Sequence, residues 1–390
     1  MKRIQTVFMA SAAVLAFSAP VLAQTPAAET KPSAYEVPRS IAVQDQDHLA
    51  ARGYFYAGGE YVGEPGAEVI DGAMYVEVLV PNEVTQPYPL VLFHGAAQTA
   101  TNWLGTPDGR EGWADYFLQA GFVVYMVDQP ARGRSAYHPE FDGELRNFPA
   151  PVIQKLFTAS RDGGTWTQAP KHDQWPGAGL MGDETFDAFY ATQVEFLKSN
   201  ADTQALFQKA GTALLDRIGP AILLTHSQAG AFGWLIADAR PDHVKGIVSI
   251  EPLGPPFQDA VLGDGAARPW GPTDIAITYD PPVTAPEDLK PQKQAQADAP
   301  DLVACWMQPE PARKIPNLAG IPILIAVGEA SYHAVYDHCT ARYLAQAGAD
   351  VDFVRLEDHG IKGNGHMMML EKNNLEIAGF LAEWVTRNVE

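Results

Sequence analysis

A serine stands where a buried strand would run into a helix. Residues 221–239 read AILLTHSQAGAFGWLIADA, so Ser227 falls at the junction between an aliphatic run and a helical pattern. A sharp turn of this kind, a nucleophile elbow, exposes the serine hydroxyl above the sheet and aims the next N–H, that of Gln228, at a reacting carbonyl oxygen. Thr225 stands where the motif usually has Gly, and an N-cap serine would look similar. The pattern indicates nucleophilic catalysis by serine.

A serine nucleophile needs a neutral imidazole to accept its proton. Two histidines, His359 and His366, follow the last strand-like run in RLEDHGIKGNGHMMMLEKNN. Gly363 and Gly365 give His366 a flexible approach and place it at the start of the final predicted helix. His359 lies only a few residues past the strand, beside Asp358. We therefore predict that His366 is the general base and that His359 is a surface residue.

Two glutamates are candidates for the carboxylate that orients this imidazole and stabilises its charged form. Glu251 ends the run KGIVSIEP, immediately after the elbow helix, and Glu329 ends IPILIAVGEAS. Each would lie at the carboxyl end of a strand, where side chains of neighbouring parallel strands converge. An acid after the penultimate strand is the commoner arrangement and favours Glu329, but the spacing alone leaves both candidates open.

The loop after the third strand-like run supplies a second hydrogen-bond donor. In YPLVLFHGAAQTATNW, Gly95 permits a turn and Ala96 presents its N–H. An oxyanion hole needs two preorganised N–H groups where negative charge develops, so we predict Ala96 and Gln228 as its donors. The sequence has no HExxH pair and no cysteine cluster. We therefore predict neither a metal site nor a cofactor.

Eight short apolar runs would position these residues. Several are unbroken aliphatic stretches, which indicates burial on both faces of a parallel sheet. The runs are Gly53–Val62, Ala73–Val80, Tyr88–Phe93, Phe122–Asp128, Ala221–Thr225, Lys245–Ile250, Ile321–Val327 and Val351–Leu356. Together with the elbow, they predict an α/β class protein of the α/β-hydrolase fold, with a mostly parallel eight-stranded sheet and antiparallel strands at its first edge.

Helical patterns lie between the later runs, at Glu111–Ala120, Ala229–Ala239, Asp337–Gln346 and Met367–Val389. Two segments interrupt the alternation, at about 135–183 and 253–320, and both follow the carboxyl end of a strand. Long excursions of this kind in a compact domain are typical of functional lids. We therefore predict one hydrolase domain over 41–390, with two lid-like insertions.

The N-terminus has the pattern of an export signal. Lys2 and Arg3 precede an apolar run over 7–17 that is too short to span a bilayer, and Val21 and Ala23 form a small-residue cleavage signal. We predict a signal peptide over 1–23 and a flexible, Pro- and Ala-rich leader over 24–40. The mature protein would then be periplasmic or secreted.

Composition narrows the function classes further. With 46% hydrophobic and 19% charged residues, the chain can bury a large core. Its formal net charge of −20 repels phosphate backbones, so nucleic acid is a poor partner. No later stretch is apolar and long enough for a stable membrane anchor. The partner we expect is a small-molecule ester substrate, and a homodimer stays open.

The only two cysteines are Cys305, in the second insertion, and Cys339, in a predicted helix. Two cysteines in an exported protein favour a disulfide over free thiols. The expected Cys305–Cys339 bond would link the insertion to the body of the domain.

A family resemblance adds to this interpretation. The segments LVLFHGAAQTATNW, TPDGREGWADYFLQAGFVVYMVDQPARGRSA, ILLTHSQAG, IVSIEP and GIKGNGHMMMLEKNN occur in that order. They resemble the Alcaligenes esterase-like family of secreted bacterial α/β-hydrolases over most of the mature chain. In that family the acid is a Glu after the strand that follows the elbow, so the resemblance implies Glu251 rather than Glu329.

The resemblance also supports His366 over His359 and implies Ala96 and Gln228 as oxyanion donors. One departure is that members of the family carry adjacent cysteines where this chain has Ala96 and Ala97, so a vicinal disulfide is absent here. The expected function is hydrolysis of carboxylic esters through an acyl-enzyme on Ser227. Lactonase, amidase or acyltransferase chemistry would use the same residues, and a non-catalytic periplasmic ligand-binding protein is the alternative from another class.

Overall fold

The computed structural model describes Pro38 and residues 41–390. The predicted signal peptide over 1–23 lies outside the described residues, as does the leader over 24–40 apart from Pro38. Within the described part of the chain, no helix is both long and apolar enough to cross a membrane.

Eight strands form the central sheet, as the apolar runs predict. They are β1 (Leu49–Val62), β2 (Val69–Pro81), β3 (Leu90–Phe93), β4 (Val124–Asp128), β5 (Ala221–His226), β6 (Val244–Ile250), β7 (Pro322–Val327) and β8 (Asp350–Arg355). Their order across the sheet is β1-β2-β4-β3-β5-β6-β7-β8. The β1–β2 and β2–β4 pairs are antiparallel, and every later pair is parallel. The carboxyl ends of β3 to β8 therefore meet at one edge.

Eight α-helices accompany the sheet. They are α1 (Trp113–Gln119), α2 (Ala150–Ile153), α3 (Ser160–Gly163), α4 (Glu184–Tyr190), α5 (Asn200–Ile218), α6 (Gly230–Ala239), α7 (Asp337–Gln346) and α8 (Asn374–Asn388). Helices α1 and α8 share one apolar core with one face of the sheet, whereas α5, α6 and α7 share another core with the opposite face. In β3, Leu90 and Leu92 point to the first core and Val91 and Phe93 to the second, as the period of two in a strand requires.

Helix α5 is absent from the helices predicted above, although it is the longest in the described chain. Its sequence is rich in polar residues, and polar Thr203 and Gln204 are buried along with Phe207 and Leu214. The apolar stripe is therefore weak. The capping signals were present, because Ser199 accepts a hydrogen bond from the Asp202 N–H and Gly219 ends the helix with φ 83°.

The final helix begins later than predicted. Residues 367–373 are not part of α8; Met368–Leu370 form a 3-10 turn, and α8 starts at Asn374. The Glu371 carboxylate accepts hydrogen bonds from the Gly365 N–H at 2.9 Å and from the Asn364 amide at 2.7 Å. These bonds fold the segment back on itself, so His366 lies in a buried loop instead of at the start of a helix.

The first insertion carries α2, a π-helical turn (Gln154–Thr158), α3 and α4. A short antiparallel ribbon, Leu145–Arg146 with Phe196–Leu197, closes this excursion at its base. The second insertion contains one further ribbon, Gln292–Lys293 with Trp306–Met307. It is joined to α7 by the predicted Cys305–Cys339 disulfide.

Candidate active site

Ser227 lies at a sharp turn between β5 and α6. Its φ is 56°, a left-handed conformation that is strained for a residue with a side chain, and Ser227–Ala229 form a 3-10 turn before α6. The neighbours of the turn must be small. A Cβ on Gly230 would lie 2.4 Å from Cβ of Pro252, and one on Gly95 would lie 3.0 Å from Cβ of Ser227. The close packing required of an elbow is thus met by Gly230 and Gly95.

His366 and Glu251 are joined by a short hydrogen bond. Nδ1 of His366 lies 2.6 Å from Oε2 of Glu251, and both side chains are almost fully buried. The carboxylate is held from two other sides, because it accepts hydrogen bonds from the Gly328 N–H at 2.8 Å and the Ser331 hydroxyl at 2.6 Å. The imidazole orientation is therefore fixed through Nδ1, and Nε2 lies on the side of the Tyr332 hydroxyl.

Burial sets the protonation of this pair. It raises the pKa of Glu251 to about 7 and lowers the pKa of His366 well below its ordinary value. The ring of His333 stacks on His366 with centroids 4.7 Å apart, and its charge also lowers the pKa of His366. A neutral imidazole at neutral pH is the form that accepts a proton.

The alternative acid and base lie elsewhere. The Glu329 carboxylate pairs with Lys171 of the first insertion at 3.0 Å and accepts a hydrogen bond from the Gly363 N–H at 3.0 Å. His359 is exposed and packs against Phe380. The structure therefore brings Glu251, not Glu329, to His366.

Ala96 and Gln228 approach the site from two sides. Ala96 follows β3 and Gln228 follows Ser227 at the end of β5, and both residues border the pocket beside Ser227. The turn at Ala96 is completed by Ala97 with φ 58°. Over residues 41–390 the Ala96 N–H has no hydrogen-bond acceptor, so it is available to a ligand.

Arg132 links the loop that carries Ala96 to the side chain of Gln228. Its guanidinium donates to the Gly95 carbonyl oxygen at 3.1 Å and to Oε1 of Gln228 at 3.2 Å. The Gly95 carbonyl and the Ala96 N–H belong to the same peptide unit, so this bond fixes the direction of the N–H. Arg132 is 3% exposed, and burial lowers its pKa to about 9. The sequence alone leaves the roles of Arg132 and Arg134 open. Unlike Arg132, Arg134 forms ion pairs, with Asp128 and with Glu77, at 2.8 Å in each case.

Tyr332 contributes a hydroxyl that the sequence analysis does not anticipate. It lies 3.4 Å from Nε2 of His366. Burial raises the pKa of Tyr332 well above its ordinary value, so its hydroxyl stays protonated. Ser227, Tyr332 and His366 all line the same cavity. Ser331, Tyr332 and His333 follow β7 in the segment EASYHAVY, and their position at a strand end is the signal that could have identified them.

These groups border a cavity of about 440 Å³. Its apolar lining comes mainly from the first insertion, and the second insertion contributes further residues. The lining residues from the insertions are Arg146, Phe148, Val152, Leu156, Phe157, Leu253, Asp259, Leu262 and Arg268; Asn200, at the start of α5, also lines the cavity. A cavity of this size, lined by both apolar and polar side chains, suits a small organic ligand.

A second set of the same three residue types lies deeper. The Ser160 hydroxyl is 2.7 Å from Nδ1 of His172, whose Nε2 is 2.7 Å from Oε1 of Glu371. Ser160 has no exposed surface, so a substrate has no access to it. Because Glu371 also accepts the Gly365 N–H, this set fastens the first insertion to the loop that carries His366.

Two clusters in residues 41–390 have the composition of a metal site. Glu251, His333 and His366 bring ligand-type atoms within 4.8 Å of one another, as do Cys305, His338 and Cys339. In the first, the Glu251 oxygen nearest His366 already accepts a hydrogen bond. In the second, both sulfurs belong to the disulfide and are not thiolates. Neither cluster offers a free ligand set.

Comparison with known proteins agrees with this architecture. A family model described as the alpha/beta hydrolase fold matches residues 88–286. A probable secreted lipase, phiG, of Fungal sp. (strain ATCC 74256) is 47% identical over 357 residues, which covers 92% of this chain and 94% of the relative. The solved structure of a novel bacterial esterase superposes with a TM-score of 0.59 at 23% identity, over 91% of this chain and all of that one. The chain belongs to the alpha/beta hydrolase family.

Proposed function

We propose that the protein is a secreted serine hydrolase that cleaves carboxylic esters through an acyl-enzyme. The observation that carries the proposal is the Glu251–His366 hydrogen bond of 2.6 Å beside the strained Ser227 in one cavity. Support for the ester class comes from the relative that is named a probable secreted lipase. The resemblance to the Alcaligenes esterase-like family is part of the same proposal.

In the acylation step, the Ser227 hydroxyl attacks the ester carbonyl and Nε2 of His366 takes its proton. Glu251 holds Nδ1–H of His366 and stabilises the imidazolium that forms. Negative charge develops on the carbonyl oxygen, where the N–H groups of Ala96 and Gln228 are its donors. The imidazolium then protonates the leaving alkoxide, which departs as the alcohol and leaves the acyl group on Ser227.

In the deacylation step, water takes the place of the alcohol. His366 removes a proton from the water, which attacks the acyl carbonyl, and the same two N–H groups stabilise the second tetrahedral intermediate. The proton returns to Ser227 as the acid leaves. Because each step starts from a neutral His366, the low pKa that burial gives this residue suits the cycle.

The test is hydrolysis of p-nitrophenyl butyrate by the mature chain and by Ser227→Ala. Loss of the hydroxyl should lower kcat by about a million-fold, to the level left by binding and the oxyanion hole. Ser160→Ala is the matched control, because Ser160 also bonds a histidine that bonds a glutamate but lies outside the cavity. Equal activity of wild type and a folded Ser227→Ala would contradict the proposal.

A further inference from the structure

Arg146 has an unusual environment in this molecule. Every other arginine in residues 41–390 forms an ion pair or donates a hydrogen bond through its guanidinium. The Arg146 guanidinium has neither within the described chain, although the protein has 47 acidic residues against 27 basic ones. Yet Arg146 lines the cavity that contains Ser227.

Two aromatic rings contact the Arg146 guanidinium, and these contacts occupy none of its N–H donors. Arg146 pairs with Phe196 across the short antiparallel ribbon. Its Cζ lies 4.8 Å from the ring centre of Phe196 and 5.8 Å from that of Phe148. An arginine over aromatic rings interacts through its flat face, so its N–H groups, which lie in the plane, stay available as a fork for a carboxylate.

The charge around the cavity differs in sign from that of the whole molecule. The protein carries a formal net charge of −20, whereas the charged side chains that line the cavity are Arg146, Arg268 and Asp259. Asp259 is neutralised by Arg268, whose Nη2 lies 2.7 Å from it. No carboxylate acts on the pKa of Arg146, which partial burial lowers, and the side chain is still exposed to solvent. The uncompensated charge in the cavity is therefore that of Arg146.

We infer that Arg146 is an anion-binding subsite and that the substrate is an ester which also carries a carboxylate. The inference rests on the proposed function and adds the substrate class to it. A bidentate bond between a guanidinium and a carboxylate is among the strong hydrogen bonds in proteins. It would orient the ester in a cavity that also has apolar side chains, such as Leu156 and Phe157, in its lining.

The experiment measures kcat/KM for two pairs of esters, in which each carboxylate is matched by a neutral carboxamide. Monomethyl adipate and methyl 5-carbamoylpentanoate differ on the acyl side; 4-acetoxybenzoate and 4-acetoxybenzamide differ on the alcohol side. Acid release in a pH-stat follows all four. We expect the wild type to favour the carboxylate in one pair by about tenfold or more, as one charged hydrogen bond allows.

Three variants and a salt series identify the residue responsible. Arg146→Met should abolish the preference, Arg146→Lys should keep part of it, and Arg387→Met on α8, which removes the same charge outside the cavity, should leave it unchanged. Added NaCl should reduce the preference of the wild type, a readout that needs no variant. Thermal unfolding of each variant checks that it is folded.

The contrary outcomes are distinct. Suppose that the wild type hydrolyses the two carboxamide-bearing esters through Ser227 but prefers neither carboxylate-bearing ester over its neutral partner. That result overturns the inference and leaves the proposed function intact. So does a preference that Arg146→Met and Arg146→Lys leave unaltered. If none of the four esters, nor p-nitrophenyl butyrate, is cleaved in a Ser227-dependent reaction, the proposed function fails and the inference fails with it.

Discussion

Glu251 and Glu329 differ in what their carboxylates touch. Glu251 is fully buried and holds His366, whereas Glu329 pairs with Lys171, which is half-exposed. Glu251→Gln keeps the shape of the side chain but removes the charge that stabilises the imidazolium, so kcat should fall by about a thousandfold to ten-thousandfold. Glu329→Gln weakens only a partly solvated ion pair and should change kcat little. Steady-state kinetics give kcat for both variants. A large loss of kcat in Glu329→Gln together with a small loss in Glu251→Gln would rule out Glu251 as the acid.

Arg132 should act as a positioning residue for the oxyanion hole. Arg132→Met removes the donor to the Gly95 carbonyl while filling the space, so the Ala96 N–H loses its fixed direction. Losing one oxyanion donor costs about a hundredfold or more in rate, and misdirecting one should cost about tenfold to a hundredfold. We expect kcat to fall with KM nearly unchanged, together with weaker inhibition by a boronic acid that forms a tetrahedral adduct.

A merely structural role of Arg132 would give a different result. Weaker folding would lower the fraction of active enzyme without changing the affinity of that fraction for the boronic acid. Arg132→Lys should restore part of the affinity, because the ammonium group can still donate to Gly95. Arg217→Met is the matched control, since Arg217 bonds a backbone carbonyl of β1 outside the cavity. Unaltered boronate affinity in folded Arg132→Met would contradict the prediction.

The candidate site residues are the ones that the sequence identifies most readily. Ser227, Ala96 and Gln228 follow from local patterns, because a strand end and the next turn decide which backbone and side-chain groups face the site. The choice between Glu251 and Glu329 needed the family resemblance, because both follow adjacent parallel strands. The sequence left the role of Arg132 open and did not point to Tyr332, because their contacts join segments far apart in the sequence.

At the scale of elements, the disulfide joins the second insertion to α7. The Cys305–Cys339 bond closes a segment of 34 residues, which in the chain-entropy account stabilises the fold by about 4 kcal/mol. The double variant Cys305→Ala, Cys339→Ala should lower the free energy of unfolding by roughly that amount in urea denaturation. Mass spectrometry of the native protein should find no free thiol. Two reactive thiols, or an unchanged stability, would contradict the link.

Elements with unbroken aliphatic runs were predicted well, and those with mixed composition were not. All eight strands were predicted to within a few residues, and the buried parallel strands among them leave a continuous apolar signature. Helix α5 was missed because tertiary packing buries polar Thr203 and Gln204. The start of α8 was predicted too early because the Glu371 carboxylate bonds backbone and side-chain groups of the His366 loop, which no periodicity reveals.

At the scale of the whole molecule, buried histidines should govern acid stability. Four histidines, all at most 2% exposed, have a pKa that burial lowers; they are His94, His226, His333 and His366. They stay neutral in the folded chain but take up protons in the unfolded chain below pH 6.5, their ordinary value. The unfolded state then binds more protons, so stability falls as the pH falls through 6.5. Each of these histidines can lower the free energy of unfolding by up to about 1.4 kcal/mol for each pH unit below that value.

Four buried carboxyls, Asp115, Asp142, Glu251 and Asp337, act in the opposite sense because burial raises their pKa. With buried His338, whose pKa burial also lowers, the histidines number five and still outnumber them. Urea unfolding between pH 7.5 and pH 5 should therefore show decreasing stability. His333→Gln should flatten this dependence, whereas the exposed His359→Gln should not. A wild type whose stability is constant or rises toward pH 5 would show that these histidines are protonated in the folded chain.

Covalent labelling can identify Ser227 as the nucleophile without any assumption about the substrate. A fluorophosphonate probe reacts with an activated serine and leaves a stable adduct, which intact mass and peptide mapping locate. We expect one probe per chain on the peptide that contains Ser227, no label on Ser227→Ala, and full labelling of Ser160→Ala. Label that persists on Ser227→Ala, or a folded wild type that stays unlabelled, would contradict this assignment.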